Sequence, residues 1–166
     1  GELMYRPTGE HYAVGIDANW VQQRDFDQDF GFRRYHVVTG HLTGYLDTGF
    51  HDVTLSASVG RYLAGDYGAT VDVSRKFANG VRMGAWATKT NVSAKQFGEG
   101  SFDKGIYFSI PFDLMSQRSS PNRANVVWQP LYRDGGARLG RRYNLYGLTD
   151  ERDGDGFENN LDKITQ

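Results

Sequence analysis

Apolar and polar residues alternate along most of the chain up to residue 112, and helical periodicity is scarce. Successive side chains of a β-strand point to opposite faces, so this alternation predicts strands with one apolar and one polar face. In the segment 67–77, for example, Val71 and Val73 share one face, and Asp72 and Ser74 share the other. The predicted strands span 11–24, 35–47, 52–63, 67–77, 81–90 and 104–112, with weaker strands near Asn125–Tyr132 and Ala137–Tyr146.

The length of the predicted strands narrows the fold class. Several have about ten or more residues, whereas strands of globular sheets usually have about 5–6. A tilted barrel strand needs about 9–11 residues to cross a bilayer. The pattern therefore predicts an all-β fold: an antiparallel up-and-down transmembrane β-barrel, or a segment of a larger barrel, with about eight or nine strands in this chain.

The hairpin that contains Asn79-Gly80 allows its register to be predicted. A two-residue loop would place Val73 opposite Trp86, and the apolar row of one strand would then run into polar positions of the next. A three-residue loop instead places Val73 opposite Ala85 and keeps the apolar face continuous. We therefore expect a type I turn followed by a bulge at Gly80.

The predicted connections between strands differ in length. If the strands run alternately up and down, both long connections lie at the same end of the sheet. Outer-membrane barrels have long extracellular loops and short periplasmic turns, which agrees with this arrangement. The long connections are Asp25–Arg34 and Asn91–Phe102, and the short ones are Asp47–His51, Leu63–Asp66 and Ala78–Gly80.

Composition is compatible with such a barrel and excludes several other classes of protein. Hydrophobic residues make up 39% of the chain and the mean hydropathy is −0.60, as expected when only alternate residues face lipid. The 21 glycines, 4 prolines and 14% aromatic residues suit strands and tight turns. A net charge of −1 gives no electrostatic basis for binding nucleic acid. The absence of cysteine excludes disulfides, thiolate zinc sites and a cysteine nucleophile.

No segment carries a clear catalytic or metal-binding motif, so we expect neither an enzyme nor a cofactor. Asp25, Asp27 and Asp29 cluster in a predicted loop, where a glycosidase acid–base pair is conceivable but a solvated loop is the simpler interpretation. The histidines lack the i, i+4 spacing of a helical metal site, and the serines lack a nucleophile-elbow pattern. We expect the strands to occupy residues 1–148. Residues 149–166 form a polar acidic tail that only roughly follows a calcium-loop spacing.

The polar faces of the predicted strands share residue types that bind carbohydrate. Asp, Asn and Arg side chains hydrogen-bond to sugar hydroxyls, and the rings of Trp and Tyr stack on the apolar faces of sugars. A glycan-lined lumen would have this composition, and so would a barrel interior filled by its own side chains. The candidate lumen-facing residues are Asp17, Asn19, His41, Tyr45, Tyr62, Asp72, Arg82, Trp86 and Tyr107.

Several sequence blocks are distinctive. Gly60–Phe77 is followed by Asn79–Thr88, and then by Phe97-Gly-Glu-Gly-Ser-Phe-Asp-Lys-Gly, which continues to Phe112 and is the most specific block. Arg-Asp-Gly-Gly-Ala-Arg-Leu (133–139) and Tyr143 lie nearer the end. Together these blocks, within the span from about residue 12 to residue 148, resemble the C-terminal portion of the YjbH family.

This resemblance implies a location and a function. Members of that family are outer-membrane proteins, often lipoproteins, encoded with exopolysaccharide and group 4 capsule genes. The resemblance implies a β-barrel of the bacterial outer membrane that acts in polysaccharide production or export, and it transfers no catalytic residue. Family members are several times longer, so the chain is expected to be a C-terminal portion. The implied partners are the extracellular polysaccharide, outer-membrane lipid, other polysaccharide secretion components and the N-terminal part of the protein.

Three functions stay open at this point. The barrel could pass or gate an exopolysaccharide across the outer membrane. It could instead scaffold other secretion components without touching glycan. An outer-membrane enzyme that trims glycan would need Asp25, Asp27 or Asp29 as its acting groups. Whether these strands close alone or within a larger barrel is likewise open.

Overall fold

A computed structural model describes residues 1–24, 32–92, 102–114, 123–130, 135–141 and 144–150. These residues form one antiparallel sheet of eight strands. A 3₁₀ turn (Phe112–Leu114) and a short helix, α1 (Leu145–Asp150), complete the described elements. The strands are β1 (Glu2–Tyr5), β2 (Tyr12–Arg24), β3 (Phe32–Asp47), β4 (Val53–Arg61), β5 (Tyr67–Lys76), β6 (Arg82–Thr90), β7 (Asp103–Pro111) and β8 (Arg123–Trp128).

The order of the strands confirms the predicted up-and-down arrangement. Each strand pairs antiparallel with the next one along the chain, from β1 to β8. The all-β class is confirmed as well, and the eight strands of the described residues agree with the expected eight or nine. Within the described residues β1 pairs only with β2 and β8 only with β7, so the sheet is open. The outer edges of β1 and β8 therefore offer backbone groups to further strands.

The strand ends that flank both long connections lie at the same end of the sheet, as predicted. These connections are residues 25–31 between β2 and β3 and residues 91–102 between β6 and β7, and β4 also ends here before the shorter connection 62–66. We call this end of the sheet the long-connection end. The two ends differ less in connection length than predicted, because the strand ends that flank residues 112–122, between β7 and β8, lie at the opposite end.

The strand predicted near Asn125–Tyr132 begins earlier, at Arg123, and ends at Trp128. Two further sequence predictions differ from the structure. β3 begins at Phe32, inside the loop predicted for Asp25–Arg34. The strand predicted for Ala137–Tyr146 is wrong, because residues 137–141 have no regular secondary structure and α1 begins at Leu145. The described residues of this segment cross the polar face of the sheet, where they contact β2, β3, β4 and the turn after β4. No helix among the described residues is long and apolar enough to span a membrane.

The hairpin between β5 and β6 has the predicted register. Val73 pairs with Ala85. The amide of Gly80 donates to the carbonyl of Phe77, and the amide of Phe77 donates to the carbonyl of Val81, both at 2.8 Å. Gly80 has φ +81°, a left-handed conformation that is costly for residues with a Cβ atom. These bonds and this angle define the type I turn followed by a glycine bulge.

Burial in the sheet is inverted relative to a soluble protein. Thr39 and Thr88 on the polar face are 1% and 2% exposed, whereas Leu3, Trp20 and Trp128 on the apolar face are 70%, 66% and 69% exposed. Soluble monomers rarely expose a contiguous apolar patch larger than roughly a few hundred Å². The buried polar residues of the strands are Thr39, His41, Thr43, Ser58, Thr70, Ser74 and Thr88.

Two glycines in the middle of the sheet allow neighbouring backbones to approach closely. A Cβ atom at Gly60 would overlap the carbonyl oxygen of Gly40, and one at Gly68 would overlap that of Lys89. These backbone oxygens cannot move aside unless the strands separate. At Gly44 of β3, by contrast, nothing lies within 4 Å of the position that a Cβ atom would occupy.

We predict that Gly60→Ala lowers the free energy of unfolding by about 2–3 kcal/mol, because the added methyl group forces β3 and β4 apart. The matched control Gly44→Ala is expected to change it by less than about 1 kcal/mol. Chemical denaturation of the full-length protein, followed by circular dichroism of the sheet, measures both values. Equal denaturation midpoints for the two variants would contradict this packing.

Candidate functional site

The polar face of the sheet is covered by the C-terminal part of the described chain. We define the covering segment as residues 135–141 together with α1. The buried carboxylate of Asp66 accepts a hydrogen bond from the amide of Gly136 at 2.9 Å. The carbonyl of Ala137 accepts one from the amide of Leu63 at 3.0 Å. Both contacts are made by the turn between β4 and β5, which therefore fixes where the segment begins to cross the sheet.

Arg138 anchors the covering segment to the middle of the sheet. Its guanidinium donates to the hydroxyl of Ser58 and lies 5.6 Å from the centre of the Tyr62 ring. Tyr62 is 0% exposed, and its hydroxyl lies 2.6 Å from that of Thr70, which lies 2.7 Å from that of Thr88. A chain of hydroxyl groups thus runs across β5 and β6 beneath the segment.

Arg141 joins the covering segment to the first two strands. Its Nη2 lies 2.7 Å from Oδ1 of Asp17, and its Nη1 lies 3.1 Å from Oε2 of Glu2. Asp17 also accepts a hydrogen bond from Asn19 at 3.1 Å and lies 3.4 Å from Nδ1 of His41. The side chains of Arg141 and Asp17 are only 26% and 14% exposed, so their attraction is less screened than at an open surface.

Helix α1 packs on the polar face through a pair of stacked rings. Tyr146 lies on Tyr45 of β3, with ring centres 4.1 Å apart and an angle of 5° between the ring planes. The guanidinium of Arg6 lies 5.1 Å from the centre of the Tyr146 ring and donates to the hydroxyl of Thr149 at 3.1 Å. These contacts tie the helix to β3 and to the residue that follows β1.

A cavity of about 890 Å³ lies between the covering segment and the strands β3 to β8. The hydroxyl of Tyr107 donates to Oδ1 of Asp72 at 3.2 Å, and Nε1 of Trp86 donates to Asp103 at 3.4 Å. All four residues line this cavity, and Arg82 lines it as well. Its wall therefore includes carboxylates, the guanidinium of Arg82, and the rings of Trp86 and Tyr107, whose polar atoms are held in place.

Glycines on the neighbouring strands make room for these rings. Gly105 pairs directly with Trp86, and Gly84 pairs directly with Tyr107. A Cβ atom at either glycine would meet the ring of its partner. Each ring therefore lies across the adjacent strand and gives the cavity a flat aromatic surface.

A second, smaller cavity of about 210 Å³ lies beside β2 and β3. Thr39 and His41 line it, and Oγ1 of Thr39 and Nε2 of His41 are buried without a hydrogen-bond partner among the described residues. Buried polar atoms are normally hydrogen-bonded. A water molecule or a hydroxyl group of a ligand would therefore find hydrogen-bonding partners in these two atoms.

The structure places all the predicted lumen-facing residues on the polar face. Tyr45 borders both cavities, and Tyr62 is buried beneath Arg138. The smaller cavity is lined by Asp17, Asn19 and His41, and the larger one by Asp72, Arg82, Trp86 and Tyr107.

The side chains of the covering segment are functional candidates that the sequence does not reveal, because the alternation over Ala137–Tyr146 predicts a strand. Gly135-Gly136, just before it, is the signal that could have corrected this. Both glycines have positive φ, 103° and 73°, and adjacent glycines are typical of a turn rather than of a strand interior.

The remaining sequence candidates lie outside the described residues. They include Asp25, Asp27 and Asp29 in the first long connection and the acidic residues of the tail after residue 150. Where the structure does describe the chain, no three His, Asp or Glu side chains come together in a group that could hold a metal ion.

Comparison with known proteins identifies relatives of the chain. Residues 1–151 match the family described as "Exopolysaccharide biosynthesis protein YbjH". A curated relative from Escherichia coli strain K12, "Uncharacterized lipoprotein YjbH", is 48% identical over 155 residues. The match covers 91% of this chain but only 22% of the relative, so the chain spans a minor part of that protein's length. No solved structure matches the chain.

We predict a coupling free energy of about 1–2 kcal/mol between Asp17 and Arg141, because each partly buried charge loses its partner when the other is removed. A double-mutant cycle with Asp17→Asn and Arg141→Gln, measured by chemical denaturation of the full-length protein, gives this value. The control cycle pairs Asp17→Asn with Arg75→Gln on the apolar face, where the effects should add to within about 0.5 kcal/mol. Additive effects in the first cycle as well would show that the ion pair does not hold the segment.

Proposed function

The chain belongs to the YjbH exopolysaccharide biosynthesis family, and we propose that it forms part of an outer-membrane β-barrel that acts in the export of an exopolysaccharide. The observation that carries this proposal is the inverted sheet, with an exposed apolar face and a polar face that borders two cavities. In this proposal the chain binds and guides glycan and performs no catalytic step.

The apolar face supports contact with lipid. Val14, Leu42, Val59 and Val71, on four successive strands, are 43%, 50%, 55% and 52% exposed. Removing a side chain of this size from water is worth about 1.5–3 kcal/mol, so a wide face of such residues is unfavourable in water. Lipid acyl chains would cover this face without any rearrangement of the sheet. The name of the E. coli relative, a lipoprotein, also fits a membrane location.

Backbone hydrogen bonding supports a closed barrel rather than an open sheet. Inside a bilayer every N–H and C=O group must be satisfied by protein, so strands cross membranes as closed barrels. Within the described part of the chain, β1 and β8 each have one edge without a partner strand. Since this chain corresponds to 22% of the E. coli relative, we propose that strands from elsewhere in the longer protein complete the barrel.

The larger cavity supports contact with a polysaccharide. Trp86 and Tyr107 supply flat rings on which sugar rings could stack, and Asp72 and Arg82 supply hydrogen-bonding groups beside them. Carbohydrate binding needs this combination, because a sugar has apolar ring faces and a rim of hydroxyl groups. The unpartnered atoms of Thr39 and His41 add further places for hydroxyl groups in the smaller cavity.

A scaffold role is the second candidate, and the covering segment favours it. Asp66, Arg138 and Arg141 hold this segment across the polar face, so part of the interior is filled by the chain itself. A barrel filled in this way could position other secretion components without contacting polysaccharide. Side chains of the larger cavity would then matter only for folding.

Nitroxide labels at adjacent positions of β4 test the membrane part of the proposal. This part of the protein has no cysteine, so Leu55→Cys and Ser56→Cys each add one site for labelling. In the full-length protein in lipid vesicles, we expect the label at 55 to collide mainly with oxygen and the label at 56 mainly with a nickel complex. The reason is that Leu55 lies on the apolar face and Ser56 lines the larger cavity. Power-saturation electron paramagnetic resonance that gives equal nickel accessibility at both sites would refute lipid contact.

Substitution of a cavity tryptophan tests the export part of the proposal. We expect Trp86→Ala to lower the amount of extracellular polysaccharide by about 2- to 10-fold, the effect of losing about 0.5–1.5 kcal/mol of ring stacking. Trp20→Ala on the apolar face is the matched control and should leave export unchanged. The quantity of protein in outer-membrane fractions is measured in parallel. Normal export by a stable Trp86→Ala protein would favour the scaffold.

A further inference from the structure

Charged residues are distributed unequally between the two faces of the described strands. Every carboxylate in these strands lies on the polar face, as the pairing of Glu2 with Asp17 and the contacts of Asp72 and Asp103 illustrate. The arginine, lysine, aspartate and glutamate residues of the apolar face are all basic, as far as the structure describes the side chains of the strands. They are Arg61, Arg75, Lys89 and Lys104.

Three of these basic residues lie together at the long-connection end of the sheet. Arg61 is the last residue of β4, Lys89 is next to last in β6, and Lys104 is second in β7. We call these three residues the basic patch. They lie on β4, β6 and β7. The distance from β4 to β7 is three strand spacings, a width of about 14 Å. Arg75 lies toward the opposite end, next to last in β5.

Aromatic rings accompany the basic patch. The guanidinium of Arg61 lies 5.5 Å from the centre of the Tyr67 ring, and the ammonium of Lys104 lies 4.9 Å from that of Phe102. Arg61 also donates a hydrogen bond to the carbonyl of Gly65 at 3.3 Å. Aromatic side chains flank the apolar band of membrane barrels at both interfaces, and long basic side chains reach toward the lipid head groups there.

Apolar side chains continue from the basic patch toward the middle of the sheet. Val59 precedes Arg61 on the same face of β4, Ala87 precedes Lys89 in β6, and Ile106 follows Lys104 in β7. A ligand that fits this surface has negative charge at the long-connection end and hydrocarbon next to it. A soluble anion would leave the apolar residues in water, whereas an anionic lipid satisfies both parts.

We propose that the basic patch binds the phosphate groups of anionic membrane lipid in the leaflet at the long-connection end. This inference rests on the proposed membrane location and adds a preference for one class of lipid. Arginine and lysine attract phosphate oxygens by charge and by hydrogen bonds, and the attraction is strong next to a low-dielectric apolar surface. The patch would hold the strand ends β4 to β7 at the level of the lipid head groups.

A fluorescent bimane attached at Val59→Cys in the full-length protein tests this proposal. The protein is placed in vesicles that contain brominated phosphatidylglycerol or brominated phosphatidylcholine, and the quenching by each lipid is measured. We expect the anionic lipid to be favoured by at least about fivefold at this site. In Arg61→Gln/Lys89→Gln/Lys104→Gln the two lipids should quench equally, whereas Arg75→Gln, with its charge toward the other end, should keep the preference.

The outcomes separate this inference from the proposed function. Quenching by neither lipid in the wild type would mean that the apolar face does not meet the membrane, and both proposals would fall. Equal quenching by the two lipids in the wild type would overturn the lipid preference and leave the membrane location intact. A preference that survives in the triple variant would show that other residues select the lipid. A patch that binds a second copy instead would show no lipid preference and a lower oligomeric mass in the triple variant.

Discussion

The strict alternation of side chains on long paired strands is the constraint on which the rest of the structure depends. Because the period is two, every strand that joins the sheet must place its polar residues beside those of its neighbours. The result is a continuous polar face with buried threonines and serines and a continuous apolar face that is exposed. A soluble fold has the opposite arrangement. The exposed apolar face is therefore the basis for our proposal that hydrocarbon covers the sheet on that side.

The covering segment shows how those polar contacts are made. Arg141 meets the carboxylates of Glu2 and Asp17, and Arg138 meets the hydroxyl of Ser58 and the ring of Tyr62. Removing any one partner would leave a polar group poorly satisfied beneath the segment, which is costly in a shielded site. The segment fills part of the polar face, and the cavities beside it are lined by carboxylate, guanidinium, hydroxyl and aromatic groups.

Much of the fold could be predicted from the sequence because alternation is a local signal. It placed Val71 and Asp72 on their correct faces, and the continuity of the apolar row selected the three-residue turn at Gly80. The covering segment could not be predicted in the same way. Contacts with strands that are distant in sequence fix the positions of Arg138 and Tyr146. The alternation of apolar and polar residues around them resembles that of a strand.

The residues of the candidate site could likewise be predicted only in part. Residues on strands, such as Asp17 and Trp86, could be assigned to the polar face from parity alone. Their partners could not be assigned, because Arg141 reaches Asp17 from the covering segment and the space beneath Trp86 depends on Gly105 of the next strand. The fold alone does not identify a ligand for this polar face. Membership in the exopolysaccharide biosynthesis family is the reason for proposing a polysaccharide.

We propose that these eight strands are part of a closed barrel with lipid on its apolar face. An experimental structure of the full-length protein in a lipid nanodisc is the most direct test. In that structure we expect the outer edges of β1 and β8 to pair with other strands, and acyl chains to lie along Leu42, Val59 and Val71. An open sheet whose apolar face packs against another part of the protein would contradict it.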